Sequence, residues 1–379
     1  NVASGGDAAG DVIVNVEGVI GSDFADTLTG DGGDNTLAGR GGSDALYGNA
    51  GNDTLRGEDG DDHLFGGVGA DILDGGTGFD FVRYDSSSAG VIVNLATNTA
   101  SGGDATGDVI VNFEGIAGSN SADTLTGDGG NNTLAGRGGN DMLYGNAGND
   151  TLRGEDGDDQ LTGGAGGDSL DGGAGYDFVR YDSSSAGVTV NLTTNTASGG
   201  DAAWDVIANV EGIVGSNYAD TLTGDGGNNM LYGQNGNDIL SGGAGNDRLE
   251  GGAGSDIYVF GRGDGQDRIA DHSALAGEVD VLSLKAGIGA DQIWLRRVSN
   301  DLEVSIIGSD DKIAFEGWYA SNENHVQKMQ LADGKSLSES NVDALVNAMA
   351  SFTPPGAAQF PLPAAYATQL NPVIAANWK

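Results

Sequence analysis

Large apolar side chains return at every ninth residue along much of this chain. Leu28, Leu37, Leu46, Leu55, Leu64, Leu73 and Val82 keep that interval, and glycine, Asp and Asn fill most of the space between them. The period is neither the 3.6 of an amphipathic helix nor the alternation of a long half-buried strand. One inward side chain per repeat predicts a glycine-rich turn of six residues followed by a three-residue strand such as Thr54-Leu55-Arg56. Two such units in succession would close one coil of a solenoid with strands on two sides.

The polar positions keep the same register. Counting from Gly21, position six holds Asp26, Asn35, Asp44, Asp53, Asp62, Asp71 and Asp80. From Gly118 it holds Asp123, Asn132, Asp141, Asp150, Asp159, Asp168 and Asp177, and from Gly215 it holds Asp220, Asn229, Asp238, Asp247 and Asp256. The segment ASGGD begins at Ala3, Ala100 and Ala197, so a much longer repeat contains the short one. A flexible glycine linker has no reason to keep either register.

Charge then decides what the turns could hold. The chain has 379 residues, 56 of them acidic and 16 basic, a net charge of −40, 70 glycines and no cysteine. Such a composition would ordinarily stay disordered, because little apolar surface is available to offset the entropy of ordering. It excludes nucleic acid as a natural partner, since phosphates would be repelled. Neither disulfides nor thiolate metal sites are possible, and no apolar run approaches a membrane span. In a coil of two repeats each position-six Asp stacks on the Asp one coil away: Asp53 on Asp71, and Asp62 on Asp80 and Asp44. Stacked carboxylates in glycine turns call for a cation between them, and oxygen donors without His or Cys suit one of Ca²⁺ size.

The repeat GGxGxDxUx, as in GGVGADILD from Gly66 and GGAGNDRLE from Gly242, resembles the calcium-binding nonapeptide of the RTX (repeats-in-toxin, haemolysin-type) family. The resemblance implies an all-β fold of parallel β-rolls with multiple Ca²⁺ ions between successive turns. Its implied ligands are the position-six aspartates of both stacked turns, carbonyls near positions one and three of one turn, and carbonyls near positions two and four of its neighbour. In the first block the first- and third-position carbonyls are those of Gly39, Gly41, Gly48, Ala50, Gly57, Asp59, Gly66 and Val68. In the second they are Gly136, Gly138, Gly145, Ala147, Gly154, Asp156, Gly163 and Ala165, and in the third Gly233, Asn235, Gly242 and Ala244. Asn35, Asn132 and Asn229 lack the charge, and Gly21, Gly118 and Gly215 open turns poor in glycine, so each block's N-terminal edge should bind weakly or act as a cap. If n repeats make about n − 2 sites, roughly 13 ions would bring about 26 positive charges.

These readings divide the chain into a partial β joint (1–20), a first roll (21–83), a joint (84–117), a second roll (118–180), a joint (181–214) and a third roll (215–260). A β-rich flanking domain (261–340) and a helix with a tail (341–379) follow. The joints, YDSSSAGV onward, read as small β elements that end one roll and start the next. Asp264 and Asp267, with Asp271, could form a last irregular calcium turn, and Arg262-Gly263-Asp264 reads better as part of that turn than as an integrin ligand. Segments 279–284, 292–298, 302–307 and 312–319 alternate like strands, with Trp294, Phe315 and Trp318 as core. A helix is expected at 341–351, and all five prolines fall in the tail from Pro354 onward.

No catalytic constellation emerges. His63, His272 and His325 do not form a metal-binding spacing, His63 reads as an outward surface residue, and 16 equivalent aspartates argue for one repeated role. The expectation is a secreted, extracellular calcium-binding region, a piece of something longer, that folds when calcium is plentiful. The resemblance further implies the type I secretion machinery as a partner, with an uncleaved signal in the tail. Alternatives are a surface stalk or adhesin module that meets a cell-surface or glycan ligand, and an accessory module of an upstream epimerase, lipase or protease. Ice binding is rejected because threonine does not line the turns.

Overall fold

The computed structural model describes residues 15–270, 277–356, 359 and 361–379. The chain divides into two compact units, one of residues 1–163 with 168–175, the other of 164–167 with 176–379.

In the first unit two parallel ladders are built from every second repeat. One runs through Gly18–Ile20, Thr36–Gly41, Thr54–Asp59 and Ile72–Thr77, the other through Thr27–Thr29, Ala45–Ala50, His63–Val68 and Phe81–Arg83. Each strand pairs with the strand two repeats on, so Leu37, Leu55 and Leu73 stack in one ladder and Leu46, Leu64 and Val82 in the other. All six are at most 1% exposed. Each contributes roughly 1.5–3 kcal/mol of burial, one large side chain per repeat.

Most roll strands are twice the expected length, because pairing resumes after the short strand. In Thr36–Gly41 against Thr54–Asp59 the paired residues are 36–38 with 54–56 and 40–41 with 58–59. The first-position glycines, Gly39 and Gly57, are skipped. Their carbonyls therefore leave the ladder.

The first joint extends the ladders instead of ending them. Val109–Val111 lies parallel on Ile72–Thr77 and Gly115–Ala117 on Phe81–Arg83. A hairpin of Ile92–Asn94 and Thr99–Ser101 is then inserted on one side only, antiparallel to Val109–Val111 at Thr99 and parallel to Thr124–Thr126. On the other side Gly115–Ala117 pairs directly with Thr133–Gly138.

The second unit repeats the scheme. One ladder runs through Phe178–Arg180, Gly212–Val214, Met230–Asn235, Arg248–Ala253, Gln266–Ile269 and Lys312–Phe315, and is closed by the antiparallel strands Asp301–Ile306 and Ile293–Val298. The other runs from the antiparallel set Val206–Ala208, Thr196–Ser198 and Thr189–Asn191 through Thr221–Thr223, Ile239–Ser241, Ile257–Phe260, Val281–Leu284 and Lys328–Gln330 to Ser336–Ser338. The flanking strands thus prolong the roll, and antiparallel turns cover edges that would otherwise be open to further pairing. Trp294, Phe315 and Trp318 are buried there.

Helix α1 spans Glu339–Met349 and buries Val342, Leu345, Val346 and Met349. The proline-rich tail holds a second helix, α2, Ala364–Asn377, anchored by Leu370 and Ile374. Beyond it, Ser336 and Lys379 exchange two backbone hydrogen bonds of 2.7 and 3.0 Å. The end of the tail is therefore docked on the strand Ser336–Ser338. No described helix is long and apolar enough to cross a membrane.

Candidate metal sites

The position-six carboxylates form columns. The backbone N–H of Asp53 donates to Asp71 Oδ1 at 2.8 Å, that of Asp62 to Asp80 Oδ1 at 2.8 Å and that of Asp44 to Asp62 Oδ1 at 2.7 Å. Asp123, Asp141, Asp150 and Asp168 continue the pattern, as do Asp220, Asp238, Asp247 and Asp256. One oxygen of each carboxylate is therefore committed to the coil next to it.

The other oxygen separates two kinds of turn. In the first two turns of every block it meets an N–H. Ser22, Ser119 and Ser216 donate their backbone N–H to Oδ2 of Asp26, Asp123 and Asp220 at 2.5–2.6 Å. Asp31, Asp128 and Asp225 donate likewise to Oδ1 of Asn35, Asn132 and Asn229 at 2.7–2.9 Å. The amides of Asn132 and Asn229 also reach the carbonyls of Glu114 and Glu211. These turns close on themselves.

Later turns do not close. Oδ2 of Asp44, Asp53, Asp62, Asp71, Asp80, Asp141, Asp150, Asp238 and Asp247 is buried and receives no hydrogen bond. Asp159, Asp168, Asp177 and Asp256 are buried at the same register position. Position two takes a left-handed backbone in these turns, even where it is Arg40 (φ 83°) or Glu58 (φ 75°), a strain of order 1 kcal/mol or more for a side chain with Cβ. The reversed φ turns over the peptide between positions one and two and carries its N–H away from Oδ2. Five turns of the first block, five of the second and three of the third have this backbone.

In the open turns Oδ2 is left with carbonyl oxygen as its neighbour. A Cβ built on Gly39 would strike Asp44 Oδ2 and lie 2.9 Å from the carbonyl oxygen of Gly57; one on Gly48 would strike Asp53 Oδ2 and lie 2.5 Å from that of Gly66. The carbonyls of Gly154 and Gly163 meet the open-turn glycines Gly136 and Gly145 in the same way. Those of Gly39, Gly48, Gly136, Gly145, Gly233 and Gly242 meet the closed-turn glycines Gly21, Gly30, Gly118, Gly127, Gly215 and Gly224. The carbonyl is thus common to both kinds of turn, and the missing N–H donor is what sets the open ones apart. Among third-position carbonyls, those of Asp59, Val68 and Asp156 each accept an N–H, from Gly42, Gly51 and Gly139. An orphaned buried carboxylate oxygen and a converging carbonyl, in a space only glycine leaves open, fit a hard oxygen-seeking cation. No group of three or more Asp, Glu, His or Cys forms a metal cluster among the described residues. Any cation here is held largely by backbone.

Burial is the main cause of a general rise in carboxyl pKa, up to about 6 for Asp71, Asp150 and Asp247 and about 7 for Asp80, Asp141 and Asp238. Backbone N–H donors oppose it, and neighbouring carboxylates add to it.

Some candidates lie elsewhere. Asp264 is engaged by Lys285 Nζ and by the Gly261 N–H, both at 2.8 Å, so its carboxylate is already balanced. Asp267 continues a column by accepting the Asp247 N–H at 3.1 Å, and burial pushes it to about 8. Asp271 and His272 lie outside the described residues. Arg262 is tied to Gln292 and to the Ile307 carbonyl, so the Arg-Gly-Asp tripeptide is part of the fold. His63 alternates with inward Leu64 and so lies on the outer face of its strand, where Phe81 of the next coil half-buries it, and burial lowers its pKa.

The columns also end on carboxylates that the repeat does not reveal. Asp108 Oδ1 accepts the Asp71 N–H at 2.9 Å while the Tyr84 hydroxyl donates to its Oδ2 at 3.0 Å. Glu114 accepts from Asp80, Glu211 from Asp177 and Asp280 from Asp256. Tyr181 donates to Asp205 as Tyr84 does to Asp108. For all of these but Asp280 the available signal was the motif DVIxNxEG, present at the same place in both joints.

Parallel coils with glycine turns and inward carboxylates define a calcium-type β-roll. The model of the RTX calcium-binding nonapeptide repeat (4 copies) matches residues 20–55, 47–82, 117–152, 144–179, 213–240 and 232–267. That of the haemolysin-type calcium binding protein related domain matches 301–341. The chain belongs to the RTX haemolysin-type calcium-binding repeat family. Among solved structures, it is similar to the extracellular lipase LipA from Serratia marcescens at 18% identity, with a TM-score of 0.20, over 54% of this chain and 40% of that one. The chain thus spans less than half the length of that lipase.

Proposed function

We propose that this region is a calcium-folded roll of a secreted protein, with one site at each open turn: five, five and three in the three blocks. The observation that carries the reading is the buried Oδ2 left without a donor in open turns, beside its hydrogen-bonded counterpart in closed ones. The position-six aspartates and first-position carbonyls would hold the ions, with Asp26, Asp123 and Asp220 as caps. Bound Ca²⁺ supplies the positive charge and the oxygen partners that the turn lacks. Without it, the chain's self-repulsion at −40 opposes the coils.

Binding only to the folded form makes calcium a source of folding free energy. An extended chain where calcium is scarce and a roll where it is abundant suits export through a type I machinery, which the family supports. We assign no catalysis to the roll itself, because its buried aspartates share one structural role. Circular dichroism with calcium calorimetry tests this. The β signal should disappear on chelation and return with uptake near 13 ions; a fully folded chain in excess chelator overturns the reading.

A further inference from the structure

The first joint contains a shortened coil of the roll. Asp108 accepts the Asp71 N–H as a position-six carboxylate does, and Val109, Ile110 and Val111 lie on Ile72, Leu73 and Asp74 in the register of positions seven to nine. Glu114 then accepts the Asp80 N–H at 2.9 Å, and Gly115–Ala117 lies on Phe81–Arg83. Ile110 and Ile116 are buried as position eight is. Asn112-Phe113-Glu114 stands in for the six-residue turn, so no nonapeptide is visible there.

In that register Asn112 follows Val111 as Gly75 follows Asp74, and it occupies the place of a first-position glycine. Its backbone is left-handed (φ 58°), a conformation that Asn tolerates. Its side chain is tied down by donating to Asp74 Oδ1 at 2.7 Å. A Cβ built on Gly75 would strike the Asn112 carbonyl oxygen and lie 2.8 Å from Asp80 Oδ2, which is buried and receives no hydrogen bond. Two acceptor oxygens thus converge where only a glycine leaves space, and neither can satisfy the other. On the other edge of the roll the atoms nearest a Cβ on Gly66 all belong to Asp71.

We infer that the Asn112 carbonyl is a ligand of the calcium ion at Asp80. This rests on the calcium reading and adds to it a ligand from outside the nonapeptides. Backbone carbonyls are ordinary Ca²⁺ ligands. An ion held by Asp80 on one side and Asn112 on the other ties the last turn of the first roll to the joint, whose strand Gly115–Ala117 also pairs with Thr133–Gly138 of the next block. The second joint repeats the arrangement, with Asn209 left-handed (φ 50°) and Glu211 accepting the Asp177 N–H at 3.0 Å.

Asn112-Phe113 is the only Asn-Phe step in the sequence. Labelling asparagine with ¹³C at its backbone carbonyl and phenylalanine with ¹⁵N therefore isolates the Asn112 carbonyl as a single NMR resonance of the full chain. In saturating calcium it should lie downfield, as a coordinated carbonyl does, and Asp80→Ala should move it upfield and lower the calorimetric ion count. Asn112→Gly, which keeps the left-handed backbone, should bind as many ions as the parent chain. Asn112→Val, whose branched side chain disfavours that backbone, should bind one fewer. A resonance unmoved by Asp80→Ala, or an undiminished ion count in Asn112→Val, overturns the proposal. A chain that takes up no calcium sinks the calcium reading itself, while a calcium-folded chain whose Asn112 carbonyl ignores Asp80→Ala sinks only this one.

Discussion

A methyl group placed on the first-position glycine of an open turn should cost a bound ion as well as a clash, whereas in a closed turn it should cost the clash alone. On Gly145 the new Cβ would strike Asp150 Oδ2 and lie 2.5 Å from the Gly163 carbonyl oxygen and 3.0 Å from Asp150 Cγ. On Gly127, in the closed turn one coil earlier, it would strike Asn132 Oδ1 and lie 2.7 Å from the Gly145 carbonyl oxygen and 2.9 Å from Asn132 Cγ. Neither glycine needs a left-handed backbone. Relieving either clash is an overpacking cost of about 1–3 kcal/mol. On Gly145 the same methyl also fills the space between the candidate ligands. Loss of one site at a calcium level of 100 Kd removes about 2.7 kcal/mol more. Gly145→Ala should therefore lose about 4–6 kcal/mol and at least one ion, while Gly127→Ala loses about 1–3 kcal/mol and no ion. Denaturant unfolding in saturating calcium, with calorimetric stoichiometry, reads both. Equal midpoints and equal ion counts for the two variants would refute the division into open and closed turns.

Three further outcomes follow from the same geometry. Asp80, Asp141 and Asp238 have folded-state pKa values raised to about 7, so the calcium-free folded chain holds protons that the unfolded chain has lost. Its stability is greatest below the unfolded value near 4 and falls as pH rises toward 7. The β signal without calcium should thus grow from pH 8 to pH 5; a flat profile contradicts it. Asn132→Asp replaces the amide that donates to the Glu114 carbonyl with a buried charge, which should cost about 1–3 kcal/mol. Its ion count should not change, because the Asp128 N–H still points inward; calorimetry showing an extra ion would count against the cap. Tyr84→Phe strips a donor from buried Asp108 and should cost about 1–3 kcal/mol in calcium-saturated unfolding.

The roll was legible because its period is written in side chains: Leu at position eight, Asp at six, glycine at one. Strand length was not, since the second half of each strand lies in residues such as Arg40-Gly41 that read as turn and pair only by stacking on Glu58-Asp59. The column ends were hidden for a different reason. Asp108 and Glu114 serve Asp71 and Asp80 from 37 and 34 residues away, an interval that belongs to neither repeat. Helix α2 was obscured by the prolines around it and by Pro372 within it, although Leu370, Ile374 and Trp378 keep a helical spacing of four and are all buried. The aromatic residues at position nine look scattered along the sequence, yet Tyr47 and Phe65 stack at 4.3 Å because the coil brings position nine over itself at every second repeat.

The two kinds of turn also explain why each block begins as it does. A solenoid is stabilised by contacts between neighbouring coils, and the first coil of the second block lies against the joint and not against another nonapeptide coil, Thr124–Thr126 pairing with Ile92–Asn94 and Thr133–Gly138 with Gly115–Ala117. Here that coil comprises one turn on each edge, and both replace the missing partner by an internal N–H donor, to Asp26 and Asn35 in the first block and to Asp123 and Asn132 in the second. The replacement needs a position-two residue that tolerates ordinary backbone and a position-six group that can be satisfied locally. Ser or Asp at position two meets the first need, and Asn in the second turn lowers the charge to be buried. Each block therefore starts from a coil that calcium does not have to close, on which the open turns can then be laid. With every long repeat the chain restores that starting coil, which limits the number of coils whose stability depends on an uninterrupted run of bound ions.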